Sequence, residues 1–120
     1  MGTAQVPTRI RHHVEVRLID DPDPANNLNL DFVLLDTVHS IAALRAEGHT
    51  VLLHCAQAQS RTPSVGALYS AIYKGVPIER ALAEVVAALP AANPQPFLHD
   101  AILRLGAAAQ HDLTTEETRA

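Results

Sequence analysis

Thr50-Val51-Leu52-Leu53-His54 is a short, mostly apolar run with Gly48 before it and polar residues after it. A run of that length, too short for a helix and lacking polar alternation, reads as a strand buried on both faces, as in a parallel sheet. Downstream, Thr62 supplies an N-cap and Pro63 sits where a helix start tolerates its missing N–H. A helix is therefore expected from there to about Lys74, with Gly75 as its stop. Strand, loop and helix in this order restrict the chain to a few architectures, and the connecting loop falls where an α/β sheet presents its ligand sites.

The remaining segments fit the same class. From Ile10 to Ile19, Val14, Val16 and Leu18 alternate with Glu15 and Arg17, the period of a half-buried strand. Asp20-Asp21-Pro22-Asp23-Pro24-Ala25-Asn26-Asn27 follows as an exposed acidic loop of turn formers. Leu34, Val38 and Ile41, with Leu35 and Leu44 beside them, mark an amphipathic helix from about Leu30 to Glu47, ending at Gly48. Ala81, Leu82, Val85, Val86 and Leu89 mark another from about Ile78 to Leu89, ending before Pro90. Past the loop at Pro94 and Pro96, Leu98, Ile102 and Leu105 are in phase for a last helix from about Phe97 to Ala109. Residues 1–9 and 110–120 are expected to be flexible ends. The predicted fold is α/β, one domain over residues 1–120, with a small, mostly parallel sheet flanked by helices.

Composition sets limits on function. At 120 residues the chain holds one core, and with 48% apolar but only 3% aromatic residues that core must be aliphatic. A formal charge of -4 with scattered basic residues offers no footprint for nucleic acid or an anionic membrane, so neither is an expected partner. No apolar stretch approaches a membrane span and no signal-peptide pattern opens the chain, which makes a cytoplasmic location the default expectation. The histidines, including His12, His13, His39, His49, His99 and His111, form no ligand motif, and neither a metal nor a cofactor is expected. Tyr69 and Tyr73, four apart, are expected in the core, while Gln57, Gln59 and Asn93 are polar groups with no motif behind them.

The single cysteine, Cys55, cannot form an internal disulfide, and for an arbitrary lone cysteine a buried apolar role is the default. Its setting argues otherwise. Cys55 and Arg61 are separated by five residues, Ala56, Gln57, Ala58, Gln59 and Ser60. That spacing lets successive backbone N–H groups wrap one tetrahedral oxyanion at a helix N-terminus. Arg61 brings a planar fork that grips two phosphoryl oxygens, and the same positive field stabilises a thiolate at Cys55. Thr62 can offer its hydroxyl to the sulfur, and His54 can orient the loop from behind.

With those residues the chain resembles the protein tyrosine phosphatase superfamily, in particular its compact dual-specificity branch, over roughly Val14 to Leu105. Val51-Leu52-Leu53-His54-Cys55 is similar to that family's strand into its nucleophile, and Ser60-Arg61-Thr62 to its loop exit. It is also similar to phosphatase-like modules that bacterial proteins carry beside an ADP-ribosylglycohydrolase domain. The resemblance implies that Cys55 is the nucleophile, Arg61 the phosphate-binding residue and an upstream aspartate the general acid. Asp20 is the first candidate because it follows the strand in phase with Val16 and Leu18, with Asp21 and Asp23 as alternatives.

Two departures stand out. Ala58 occupies a position where the family carries glycine, and a non-glycine residue at positive φ costs about 1 kcal/mol. The strands that precede the acid in the family are reduced here to Thr8-Arg9-Ile10, so a second domain or a second copy is expected to cover the sheet edge. The expected activity is hydrolysis of a phosphomonoester through a phosphocysteine, with a neutral loop favouring substrates of modest charge. A dormant phosphate- or phosphopeptide-binding module and a rhodanese-type sulfurtransferase are the other readings.

Overall fold

Local signals place the helices. α1 spans Leu30–Ala46, α2 Arg61–Tyr73, α3 Ile78–Ala88 and α4 Pro96–Arg119, preceded by a 3-10 turn at Pro24–Asn26. Gly48 at φ +90° and Gly75 at φ +67° follow α1 and α2, in a conformation that side-chain-bearing residues adopt at a cost. Pro77 caps α3 and Pro96 is the first residue of α4, where a missing N–H is harmless. The computed structural model describes residues 14, 16, 18–55, 60–89 and 92–119, with side chains through residue 110.

The core is aliphatic and centred on α2, which packs against each of the other three helices. Val65, Ala67, Leu68 and Ala71 of α2 are fully buried against Leu34 and Val38 of α1, Ile78, Ala81 and Leu82 of α3, and Leu98 and Ile102 of α4. Each large aliphatic side chain contributes about 1.5–3 kcal/mol by leaving water. The small residues Ser64, Ala67 and Ala71 let α2 sit inside the bundle. Gly106 does the same for α4, since a Cβ there would lie 2.6 Å from that of Ile78.

The α/β fold with a parallel sheet is not what the chain forms: among the described residues there is no strand. The reason is visible in the backbone of residues 18–20. The Leu18 N–H donates to the Val16 carbonyl at 3.1 Å. The Ile19 N–H and carbonyl both go to the Asn27 side-chain amide, at 3.0 and 2.7 Å. The carbonyls of Leu18 and Asp20 accept from Arg61 and Gln95. Side chains and a local turn thus occupy the groups a ladder would need. Most of the rest of the expected Ile10–Ile19 strand lies outside the described residues.

The Thr50–His54 run is not buried on both faces either. Thr50 and Leu52 are exposed, Val51 and Leu53 half-buried, and Cys55 buried. Its alternation shows which side faces the core, and burial of this kind needs no hydrogen-bonded neighbour. Without a sheet among the described residues, the expected partner covering a sheet edge loses its premise.

Two helix boundaries and one burial expectation also differ. Ser60, not Thr62, is the N-cap of α2, so Pro63 becomes the third helical residue, still inside the first turn, where backbone N–H groups have no intrahelical partner. α4 continues to Arg119 rather than ending near Ala109, so residues 110–119 are helical instead of a frayed tail. Residues 1–9 lie outside the described residues. Tyr73 is 44% exposed rather than part of the core.

Candidate functional site at the start of α2

Three segments distant in sequence meet at the start of α2: residues 18–20, the helix entry Ser60-Arg61-Thr62, and the Pro94-Gln95-Pro96 connection. Arg61 Nη1 donates to the Leu18 carbonyl at 3.2 Å, fixing the guanidinium against the segment that carries Asp20. Gln95 Nε2 donates to the Asp20 carbonyl at 2.8 Å, and the Gln95 N–H donates to Ser60 Oγ at 2.9 Å. Ser64 Oγ, one turn into the helix, donates to the Ser60 carbonyl at 2.6 Å.

These contacts leave a particular set of groups unused. Asp20 Oδ1, Arg61 Nε and Thr62 Oγ1 are buried and have no hydrogen-bond partner among the described residues. A buried polar atom in that state costs about 1–3 kcal/mol, so three at one helix start are a departure from ordinary packing. Ser60 makes no side-chain cap, its hydroxyl accepting from the Gln95 N–H, and the first turn of α2 carries no acidic residue. Its positive end is therefore uncompensated by the side chains of its own cap and first turn.

The candidate residues separate into groups. Asp20 and Arg61 are brought together through Leu18 and Gln95. Cys55 is buried at 8% exposure and belongs to the same apolar cluster as Leu18. His54 is half-buried beside it. Ala56, Gln57, Ala58 and Gln59, the span that would wrap an anion, lie outside the described residues. Thr62 does not make the expected hydrogen bond to the Cys55 sulfur, because with the cap shifted to Ser60 it sits one residue inside the helix.

Asp21 and Asp23 have local work instead. Asp21 Oδ1 accepts from the Asp23 N–H at 2.8 Å, and Asp23 Oδ1 accepts from the Ala25 N–H at 3.0 Å, capping the 3-10 turn. Both are exposed. The rest of the acidic loop thus builds the turn that holds Asn27 against Ile19, while Asp20 faces inward.

Gln95 and Leu18 are the residues that sequence reasoning passed over. A carbonyl has no sequence signal. Gln95 had a faint one: a polar side chain between two prolines, on a backbone with little freedom. Asn93, which was noted, is exposed. Among the described residues no three His, Cys, Asp or Glu side chains converge as a metal-ligand set, and no helix is long and apolar enough to cross a membrane. No protein-family model, curated protein or solved structure matches the chain.

Proposed function

We propose that this chain is a cysteine-dependent phosphatase acting on a phosphomonoester of modest charge. The observation that carries the reading is the set of buried atoms of Asp20, Arg61 and Thr62 that have no partner among the described residues, at a helix start without a side-chain cap. Arg61 is the first residue of that helix, and five residues separate it from Cys55. The parallel sheet that the family resemblance implied is absent from the described residues, so the proposal rests on the loop spacing and this site rather than on a shared fold.

In the proposed reaction the Cys55 thiolate attacks phosphorus in line, forming the S–P bond as the bond to the leaving oxygen breaks. Arg61 Nε and its neighbours stabilise the equatorial oxygens. Asp20 gives its proton to the leaving oxygen, then takes one from the water that cleaves the S–P bond, releasing inorganic phosphate and the thiolate. Asp20 is favoured over Asp21 and Asp23 because their carboxylates are held by their own loop.

The burial of Cys55 and the presence of Ala58 favour a second reading, a module that binds phosphate without turning it over. Hydrolysis of a nitro-substituted aryl phosphate, compared between wild type and Cys55→Ser, separates the two. The phosphatase reading expects the variant to fall to the uncatalysed background. Equal rates would remove it, and saturable binding of inorganic phosphate without turnover would select the binding module.

A further inference from the structure

We infer that Gln95 is the positioning residue that sets the general acid against the phosphate-binding arginine, an inference that rests on the phosphatase reading of the site. Gln95 is tied to three places at once. Its side chain holds the Asp20 carbonyl, its N–H holds the Ser60 hydroxyl, and its carbonyl accepts from the His99 N–H at 2.9 Å in the first turn of α4. The first two partners lie 75 and 35 residues away in sequence. Pro94 and Pro96 restrict the backbone on either side, and α4 is anchored in the core by Leu98 and Ile102.

The division of labour follows from which atoms are used. Gln95 grips the main chain of Asp20 and leaves the buried carboxylate oxygen unengaged. It also holds the Ser60 hydroxyl, which would otherwise be the natural cap of α2, so the first-turn N–H groups are left uncapped by that side chain. One residue thus connects the segment bearing the acid, through its side chain, to the helix bearing Arg61, through its backbone N–H. Its reach sets their separation, and a shift of that segment by an ångström is enough to spoil proton transfer.

The test uses Gln95→Met, which keeps the side chain's length and the backbone N–H to Ser60 but removes the donor to Asp20. Hydrolysis is measured on phenyl phosphate, whose leaving oxygen needs a proton, and on a nitro-substituted aryl phosphate, whose leaving group departs readily without one. The expected result is a loss of ~10- to 100-fold in kcat on phenyl phosphate. The loss on the nitro ester is several-fold smaller and KM is little changed. Asp20→Asn is expected to skew the two substrates in the same direction. The ratio between substrates is independent of how much of each variant folds.

An unchanged ratio in Gln95→Met, with an active wild type, would overturn this inference alone. An unchanged ratio in Asp20→Asn would overturn it by removing the acid it serves. A wild type with no Cys55-dependent hydrolysis of either ester would overturn the phosphatase reading, and the inference with it.

Discussion

The two ends of α2 treat their polar side chains in opposite ways. Toward its C-terminal end, Tyr69 and Tyr73 stack at 5.4 Å between ring centroids. Arg45 of α1 donates to the Tyr69 hydroxyl at 3.0 Å and lies 5.6 Å from its ring centroid, and His39 shares a hydrogen bond with the Tyr73 hydroxyl. This network is at the surface and well partnered. At the N-terminal end the situation reverses: Arg61 and Thr62 are half-buried, yet each has a buried atom with no partner among the described residues, as does Asp20 beside them. Exposed groups can exchange a protein partner for water at little cost, whereas buried ones cannot. Unused hydrogen-bonding capacity inside the protein is therefore the more informative of the two.

The sharpest way to break this contrast is to make the same conservative change at each end. Arg61→Lys is expected to lower Cys55-dependent phosphate ester hydrolysis by ~10²- to 10³-fold, since an ammonium cannot reproduce a planar fork aimed at developing charge. Arg45→Lys should leave the rate within error of wild type. Equal losses in steady-state assays would mean that the two ends do not differ in the way proposed.

A smaller effect is expected at the tyrosine end. Tyr73→Phe removes one exposed hydrogen bond and keeps the stacked ring, so urea denaturation should show a loss of about 0.5–1 kcal/mol at most, with hydrolysis unchanged. A loss of several kcal/mol would show that the surface network holds the fold together.

The smallest effect concerns a third polar contact, remote from both ends. Arg104 of α4 makes two hydrogen bonds to the Asp31 carboxylate of α1, at 2.6 and 2.8 Å. These bonds hold Asp31 below its ordinary value of 3.8. The group's affinity for protons is lower in the folded state, so its stabilisation is complete above that value and disappears as pH falls through the lowered one. Because the Asp31 side chain is 48% exposed, solvent screening limits the contribution to about 0.5 kcal/mol. Asp31→Asn should flatten that acid limb in denaturation measured as a function of pH, and added salt should shrink it in the wild type.

The pattern of Leu34, Val38 and Ile41 is enough to locate α1, and Gly48, Gly75 and Pro90 bound the ends of α1, α2 and α3 to within a residue or two, because helix formation and its punctuation are local; α4, with no such stop, runs ten residues past its expected end. The sheet was misjudged for a complementary reason. Alternation marks Leu18 as core-facing but fails at Val14, which is 56% exposed; beyond that, a ladder needs a second backbone, and here Asn27, Arg61 and Gln95 occupy the groups of residues 18–20. Periodicity carries no information about that competition.

The Cys55-to-Arg61 spacing and its position just before a helix are properties of the linear chain, determined by the sequence alone. So is the aliphatic character of the core. Tertiary structure alone decided that Asp20, rather than Asp21 or Asp23, is held by Gln95 with a buried carboxylate oxygen unpaired among the described residues, that Ser60 is held by Gln95 instead of capping its own helix, and that no strand forms among the described residues. Each of those outcomes depends on hydrogen bonds between residues far apart in the chain. Such partners are chosen only when the packing of α2 against α4 brings them within reach.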